Sequence, residues 1–159
     1  MHDTELHSTP LPSTALRSTA KIAGHPIHPM LVPFPIVCFF GTLLTDIAYW
    51  RTAEMMWANF SAWLLTAGLA LGALAAIAGL IDFFGDGGIR ALRRAWIHML
   101  GNLVAWILAL LNAFVHTRDA WTSVVPTGLA LSALVVVILL FTGWLGGSLV
   151  YRHRIGMRA

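Results

Sequence analysis

The chemistry-bearing residues of this chain stand at the ends of its apolar runs. His25 and His28 lie in HPIHP just ahead of one run, Asp82 closes a second, His98 and Asn102 open a third, and His153 follows a fourth. Imidazoles presented by facing helices are how bundles hold a b-type haem or a metal ion, and a neighbouring carboxylate fixes the tautomer of such a ligand. The set predicts a cofactor site built from His28, His98, His153, Asp82, Asn102 and His25, holding haem b, or a divalent metal on His28, His98 and His153. The same residues have a plainer use, with His98 hydrogen-bonding Asp82 as a clasp between helices and HPIHP as a capping and kinking device. A carboxylate at the centre of a membrane helix costs about 2.5–3.5 kcal/mol on insertion scales. Asp82 is therefore expected to have a partner, with His98, Arg90, Arg93 and Arg94 as the candidates.

The elements that must position these groups follow from composition. Of 159 residues, 58% are hydrophobic and 11% charged, whereas soluble domains carry about 25% charged residues. Mean hydropathy is +0.76, and four apolar stretches at about 30–50, 60–84, 95–115 and 124–150 are each long enough to cross a hydrocarbon core about 30 Å thick. The expected fold is all-α: a four-transmembrane-helix up-down bundle over residues 24–159, preceded by a flexible cytoplasmic tail, residues 1–23. That Ser/Thr/Pro-rich tail has neither the apolar core nor the cleavage pattern of a signal peptide.

Short connections (RTAEMMWAN, GDGGIRALRR, HTRDAWTS) join the spans, and an even number of them puts both termini and the second connection on one side. Eight of the ten basic residues, Arg17, Lys21, Arg90, Arg93, Arg94, Arg152, Arg154 and Arg158, fall on that side, against Arg51 and Arg118 on the other. The positive-inside rule then makes the termini cytoplasmic. Orientation thus accounts for the basic excess, and nucleic acid is not an expected partner. Tyr49, Trp50, Trp57 and Trp121 are expected in the outer aromatic belt, and Phe83, Phe84, Trp96 and Tyr151 in the inner one.

Helical wheels sort the faces. His98, Asn102, Ala105, Ala109, Asn112 and His116 fall within about 40° of one line on the third span. Gly68, Gly72, Ala75, Gly79 and Asp82 share a face of the second, and Gly143, Gly146 and Gly147 give the fourth an interface composition. These small-residue faces exceed what one bundle needs, which points to a homo-oligomer or a membrane redox complex. Pro29 suits a first helical position, while Pro33 and Pro35 predict a kinked first helix. Phe39, Thr42 and Asp46 share a face, so Asp46, Thr42, Asn112 and His116 gather at the outer end. One histidine there does not ligate a second haem. A proton path along the third span meets only Ala105 and Ala109 between Asn102 and Asn112, a dry gap of roughly 15 Å at 1.5 Å per residue.

In an up-down bundle the first and third helices are diagonal. His28 is then expected to face His98, with Asp82 and His153 flanking, and Gly79, Gly101 and Gly147 leaving room for a flat cofactor. No nucleophile–base pair, phosphate loop or paired-carboxylate site is present, so no enzyme class is indicated, and DGG at 86–88 reads as a turn. Cys38, the single cysteine, excludes an intrachain disulfide.

The segments GHPIHPMLVPFPI, TDIAY, GLIDF, RAWIHMLGN and GWLGGSLVYRH, in this order, resemble the bacterial membrane proteins grouped as domain of unknown function 2231. The resemblance covers nearly the whole chain after the tail and implies a four-helix inner-membrane protein without an established activity. Some relatives resemble fusions to Rieske-type modules or associates of cytochrome modules, which implies redox chemistry and an electron-transfer subunit. The alternative it leaves open is a cofactor-free structural or assembly subunit. His25, His28, Asp46, Asp82, His98, Asn102 and His153 match the family pattern. Arg154 departs from it, standing where a glycine is expected.

Overall fold

The computed structural model describes residues 16–117, 124–153 and 155, with the backbone alone for His153. A two-residue antiparallel pair, β1 (Lys21–Ile22) and β2 (His25–Pro26), precedes the helices. Its turn needs left-handed backbone at Ala23 (φ 48°) and Gly24 (φ 81°), and Gly24 supplies this without steric cost. The helices are α1 (Ile27–Leu31), α2 (Pro33–Thr52), α3 (Met55–Gly85), α4 (Gly87–Arg90), α5 (Arg93–His116) and α6 (Leu129–His153); an irregular turn with Val125 extended, Val124–Gly128, leads into α6.

Four segments are long and apolar enough to cross a membrane: Ile27–Thr52, Met55–Gly85, Arg93–His116 and Val124–Arg152. The first is bent, as its prolines predict. Val32 N–H closes α1 on His28 O at 3.1 Å, and Pro33, which has no N–H to continue the ladder, begins α2. Pro29 does not take the first helical position expected of it; that place belongs to Ile27, and Pro29 is the third residue of α1.

The spans alternate in direction. α2 packs on α3 and α6, and α5 packs on α3 and α6, so α2 and α5 are diagonal, as are α3 and α6. Phe39, Leu65, Ala105, Ala109, Val135 and Leu139 fill the centre. The polar residues of the shared faces lie toward the two ends, and large apolar side chains such as Val37, Trp63, Phe114, Val137 and Trp144 point outward. That inversion is what a lipid solvent requires: backbone polar groups are satisfied within each helix and the outside is oil-like. Trp50, Phe84, Trp96 and Tyr151 are exposed as a belt requires, whereas Tyr49 and Phe83 are buried because each packs into an end cluster. Trp121 lies outside the described residues.

Of the stretch 1–23 expected as a tail, residues 16–20 lie along the end of α3, through Leu16 on the cluster that includes Phe83 and through Ser18, Thr19 and Ala20 on Asp82; residues 1–15 lie outside the described residues. Not every expected interface glycine is used. A Cβ at Gly143 or Gly147 would meet nothing within 4 Å, whereas one at Gly68 would sit 2.8 Å from Phe39 Cε1 and 3.1 Å from Cys38 Cβ. Gly68→Ala is therefore expected to force α2 from α3 and lower stability by about 1–3 kcal/mol. Gly143→Ala is expected to be neutral or stabilising by up to about 1 kcal/mol through helix propensity. Thermal unfolding of the two variants in one detergent checks the contrast.

Candidate functional site

Two polar centres sit at opposite ends of the apolar middle. At the end that carries the chain termini, His28 on α1 and His98 on α5 face each other across the bundle diagonal, with ring centroids 6.1 Å apart and planes at 89°. Each ring is anchored on a neighbouring helix: His28 Nδ1 lies 2.8 Å from Ala75 O of α3, and His98 Nδ1 lies 2.9 Å from Thr142 O of α6. A carbonyl only accepts, so both Nδ1 atoms carry the hydrogen, and in the neutral ring Nε2 keeps the lone pair. This is the tautomer that ligating imidazoles use.

Asn102, one turn after His98, orders the surroundings. Its Nδ2 donates to His98 O at 2.7 Å and its Oδ1 accepts from Thr142 Oγ1 at 3.2 Å. The glycines beside the pair receive the rings. A Cβ at Gly79 would lie 2.9 Å from His28 Cε1, one at Gly146 would lie 2.8 Å from His98 Cε1, and one at Gly101 would lie 2.6 Å from Thr142 Cγ2. The room expected for a flat cofactor at Gly79 and Gly101 is thus taken by the imidazoles and a methyl group, and Gly147 faces open space rather than the pair.

The other expected members do not join. His25 is exposed on β2, and the side chain of His153 lies outside the described residues. Asp82 pairs with neither His98 nor Arg90, Arg93 or Arg94. Its Oδ1 accepts from Thr19 N and Ala20 N, both at 2.7 Å, and from Ser18 Oγ at 2.9 Å. Arg90 and Arg94 instead donate to Phe84 O and Ser148 Oγ. Main-chain and hydroxyl donors from residues 18–20 thus converge on one carboxyl oxygen. Among the described residues no group of three His, Cys, Asp or Glu is placed to hold a metal ion.

The GDGG segment is part of the same docking. Asp86 Oδ2 accepts from Arg17 N at 2.9 Å, and its Oδ1 caps α4 through Gly88 N at 2.8 Å. Leu16 enters the cluster of Phe83, Ile89, Ala95 and Leu149. A Cβ at Gly85 or Gly88 would overlap Thr19 or Leu16, so these glycines admit the strap formed by residues 16–20. The backbone N–H groups of Arg17 and Gly88 hold the Asp86 carboxyl below the usual carboxylate range.

At the opposite end, Asp46 on α2 is fully buried and receives a donor from each of the other three long helices. Ser61 Oγ of α3 lies 2.5 Å from Oδ1, His116 Nε2 of α5 lies 3.0 Å from Oδ1, and Ser132 Oγ of α6 lies 2.6 Å from Oδ2. Asn112 Nδ2 donates to Ser132 Oγ at 2.8 Å, Thr45 Oγ1 lies 2.7 Å from Ser61 Oγ, and His116 Nδ1 lies 2.9 Å from Asn112 O. Asp46, Asn112 and His116 come together here as their helical faces predict. Ser61 and Ser132 were not singled out by sequence reasoning; the available signal was a lone hydroxyl on the apolar stretch of α3 and another on that of α6.

Three outcomes test this geometry. Gly79→Ala and Gly146→Ala are each expected to displace an imidazole from its carbonyl and destabilise the protein by about 1–3 kcal/mol, visible as a lower thermal midpoint. Asp82→Ala is expected to leave Thr19 and Ala20 N–H without acceptors at a cost of about 1–3 kcal/mol, read as faster hydrogen exchange at those amides. Because the Asp86 carboxyl is held low, its hold on the strap is complete above the unfolded value of about 3.9 and is lost as pH falls through the lower folded value. Exchange at Arg17 N–H is therefore expected to stay slow at neutral pH and to rise only below about pH 4.

The residues that carry both centres fall within one family match. No curated protein and no solved structure matches the chain. The model of the family described as "Predicted membrane protein (DUF2231)" matches residues 24–159, and the chain belongs to that family.

Proposed function

We propose that this membrane protein is a binding and electron-transfer subunit that holds a metal centre, haem b or a divalent ion, between His28 and His98. The observation that carries the reading is the pair itself. The two rings stand 6.1 Å apart with both Nδ1–H groups engaged on carbonyls, so their Nε2 atoms would be the ones to hold the ion. For haem, the space at Gly79 and Gly146 that the rings now fill would have to open. When bound, such a centre supplies one-electron chemistry; the chain's own part is to fix both tautomers and to exclude water with the apolar middle of the bundle.

The eight basic residues on the terminal side support an orientation with both termini cytoplasmic in a bacterial inner membrane. Gly143 and Gly147, four residues apart and open outward, suit close approach of a second copy or of another membrane subunit. A second reading has its own observation. His28 joins α1 to α3 and His98 joins α5 to α6 through contacts to main-chain carbonyls, the clasps that a cofactor-free structural or assembly subunit requires.

Absorption spectra of the protein purified from haem-sufficient cells, oxidised and dithionite-reduced, together with metal analysis, test the proposal. A Soret band abolished in both His28→Ala and His98→Ala identifies haem. Stoichiometric metal without a Soret band, lost in the same variants, identifies an ion. Neither signal in the wild-type protein, with His98→Ala merely less stable, overturns the ligand reading in favour of the clasp.

A further inference from the structure

The opposite end of the bundle carries a feature independent of the His28–His98 reading. We propose that Asp46 and His116 form a buried proton-binding site that holds one exchangeable proton at neutral pH. The inference comes from counting hydrogens. His116 Nδ1, 2.9 Å from the carbonyl of Asn112, must carry a hydrogen because that oxygen only accepts. His116 Nε2 lies 3.0 Å from Asp46 Oδ1. With Nε2 bare and the carboxylate ionised, two lone pairs would face each other beside an uncompensated charge in a fully buried site, which costs far more than the pair can repay. One proton therefore lies between them, in addition to the one on Nδ1.

The directions of the surrounding bonds place that proton on the imidazole. Asn112 Nδ2 donates to Ser132 Oγ, which donates to Asp46 Oδ2. Ser61 Oγ donates to Asp46 Oδ1, with Thr45 Oγ1 behind it. Hydroxyls from two helices are aimed at Asp46 as an acceptor, the arrangement that favours an ionised carboxylate, so the pair is an imidazolium against a carboxylate and is neutral as a whole. Among the described residues, the remaining ionisable group near the pair is Tyr49 on α2; α3 and α6 contribute only Ser61 and Ser132.

Two further atoms distinguish this site from a saturated clasp. Tyr49 Oη and Asn112 Oδ1 are buried and have no hydrogen-bond partner among the described residues. Asn112 belongs to the network through its own Nδ2, and Tyr49 lies one turn beyond Asp46. The open amide oxygen of Asn112 is an acceptor that a water molecule can use beside the pair, and the open Tyr49 phenol lies at the same end of the bundle. Leu65, Ala105 and Ala109 close the route toward the other end, so exchange takes place with the nearer face of the membrane.

Nitrogen-15 histidine spectra of the full chain in lipid nanodiscs at neutral pH test the assignment. Both ring nitrogens of His116 are expected to carry hydrogen, and its Nε2–H is expected to be replaced within hours of transfer to heavy water. Asp46→Asn removes the counter-charge while keeping the shape, and is expected to return His116 to a singly protonated ring. His116 with one protonated nitrogen in the wild-type protein overturns the proposal whether or not the variant folds. An Nε2–H that persists for days, or an Asp46→Asn variant whose His116 stays doubly protonated, also overturns it.

Discussion

One carboxylate ties the bundle together. In lipid there is no hydrophobic force to press apolar helices against each other, and association depends on close packing and on hydrogen bonds between helices. Asp46 on α2 is the only acceptor among the described residues that takes a side-chain donor from α3, α5 and α6 at once, through Ser61, His116 and Ser132. The positions of those residues along their helices set the mutual registers of all four spans. A slide of any helix by one turn would strand either the carboxylate or its donor in a medium that offers no substitute. The His28 and His98 contacts at the far end have their spacing because the register is set here.

The same economy governs the terminal end, with main-chain donors joined by the Ser18 hydroxyl. Asp82 is held by the amides of Thr19 and Ala20, and Asp86 by the amide of Arg17. From the strap that results, β1 with β2 turns the chain into α1, where Ile27 N–H reaches back to Ala20 O. His28 thus reaches the bundle interior from a segment fixed on both sides: by the strap before it and by the proline break after it.

Much of this was legible in the sequence, and the boundary of legibility has a physical cause. Spans, the bend at Pro33, the buried face Phe39–Thr42–Asp46 and the α5 stripe all follow from periodicity and from the removal of one N–H, which are local properties. The facing of His28 and His98 follows from one topological step, since alternation makes α2 and α5 diagonal. The partner of Asp82 was not legible because backbone amides have no signature: any residue at 19 or 20 offers the same donor. Ser61 and Ser132 carry no mark that separates a hydroxyl aimed at a carboxylate from one bonded to its own helix, as Thr66 is. Glycines gave an ambiguous signal for the same reason, since Gly146 receives an imidazole and Gly143 receives nothing, and only the third dimension tells them apart.

The apolar middle, with Ala105 and Ala109 at its centre and essentially unexposed, has an electrical consequence. His98 and His116 are 18 positions apart, about 27 Å along a helix, and the stretch between them contains little that can reorient in a field. A transmembrane voltage therefore falls mainly across this stretch, as across the dielectric of a capacitor whose plates are the two polar ends. Each elementary charge displaced from one plate to the other works against about 2.3 kcal/mol per 100 mV. A charge gained or lost at either end alone feels only the small remainder, so the chemistry of each end is insulated from the voltage that the membrane sustains.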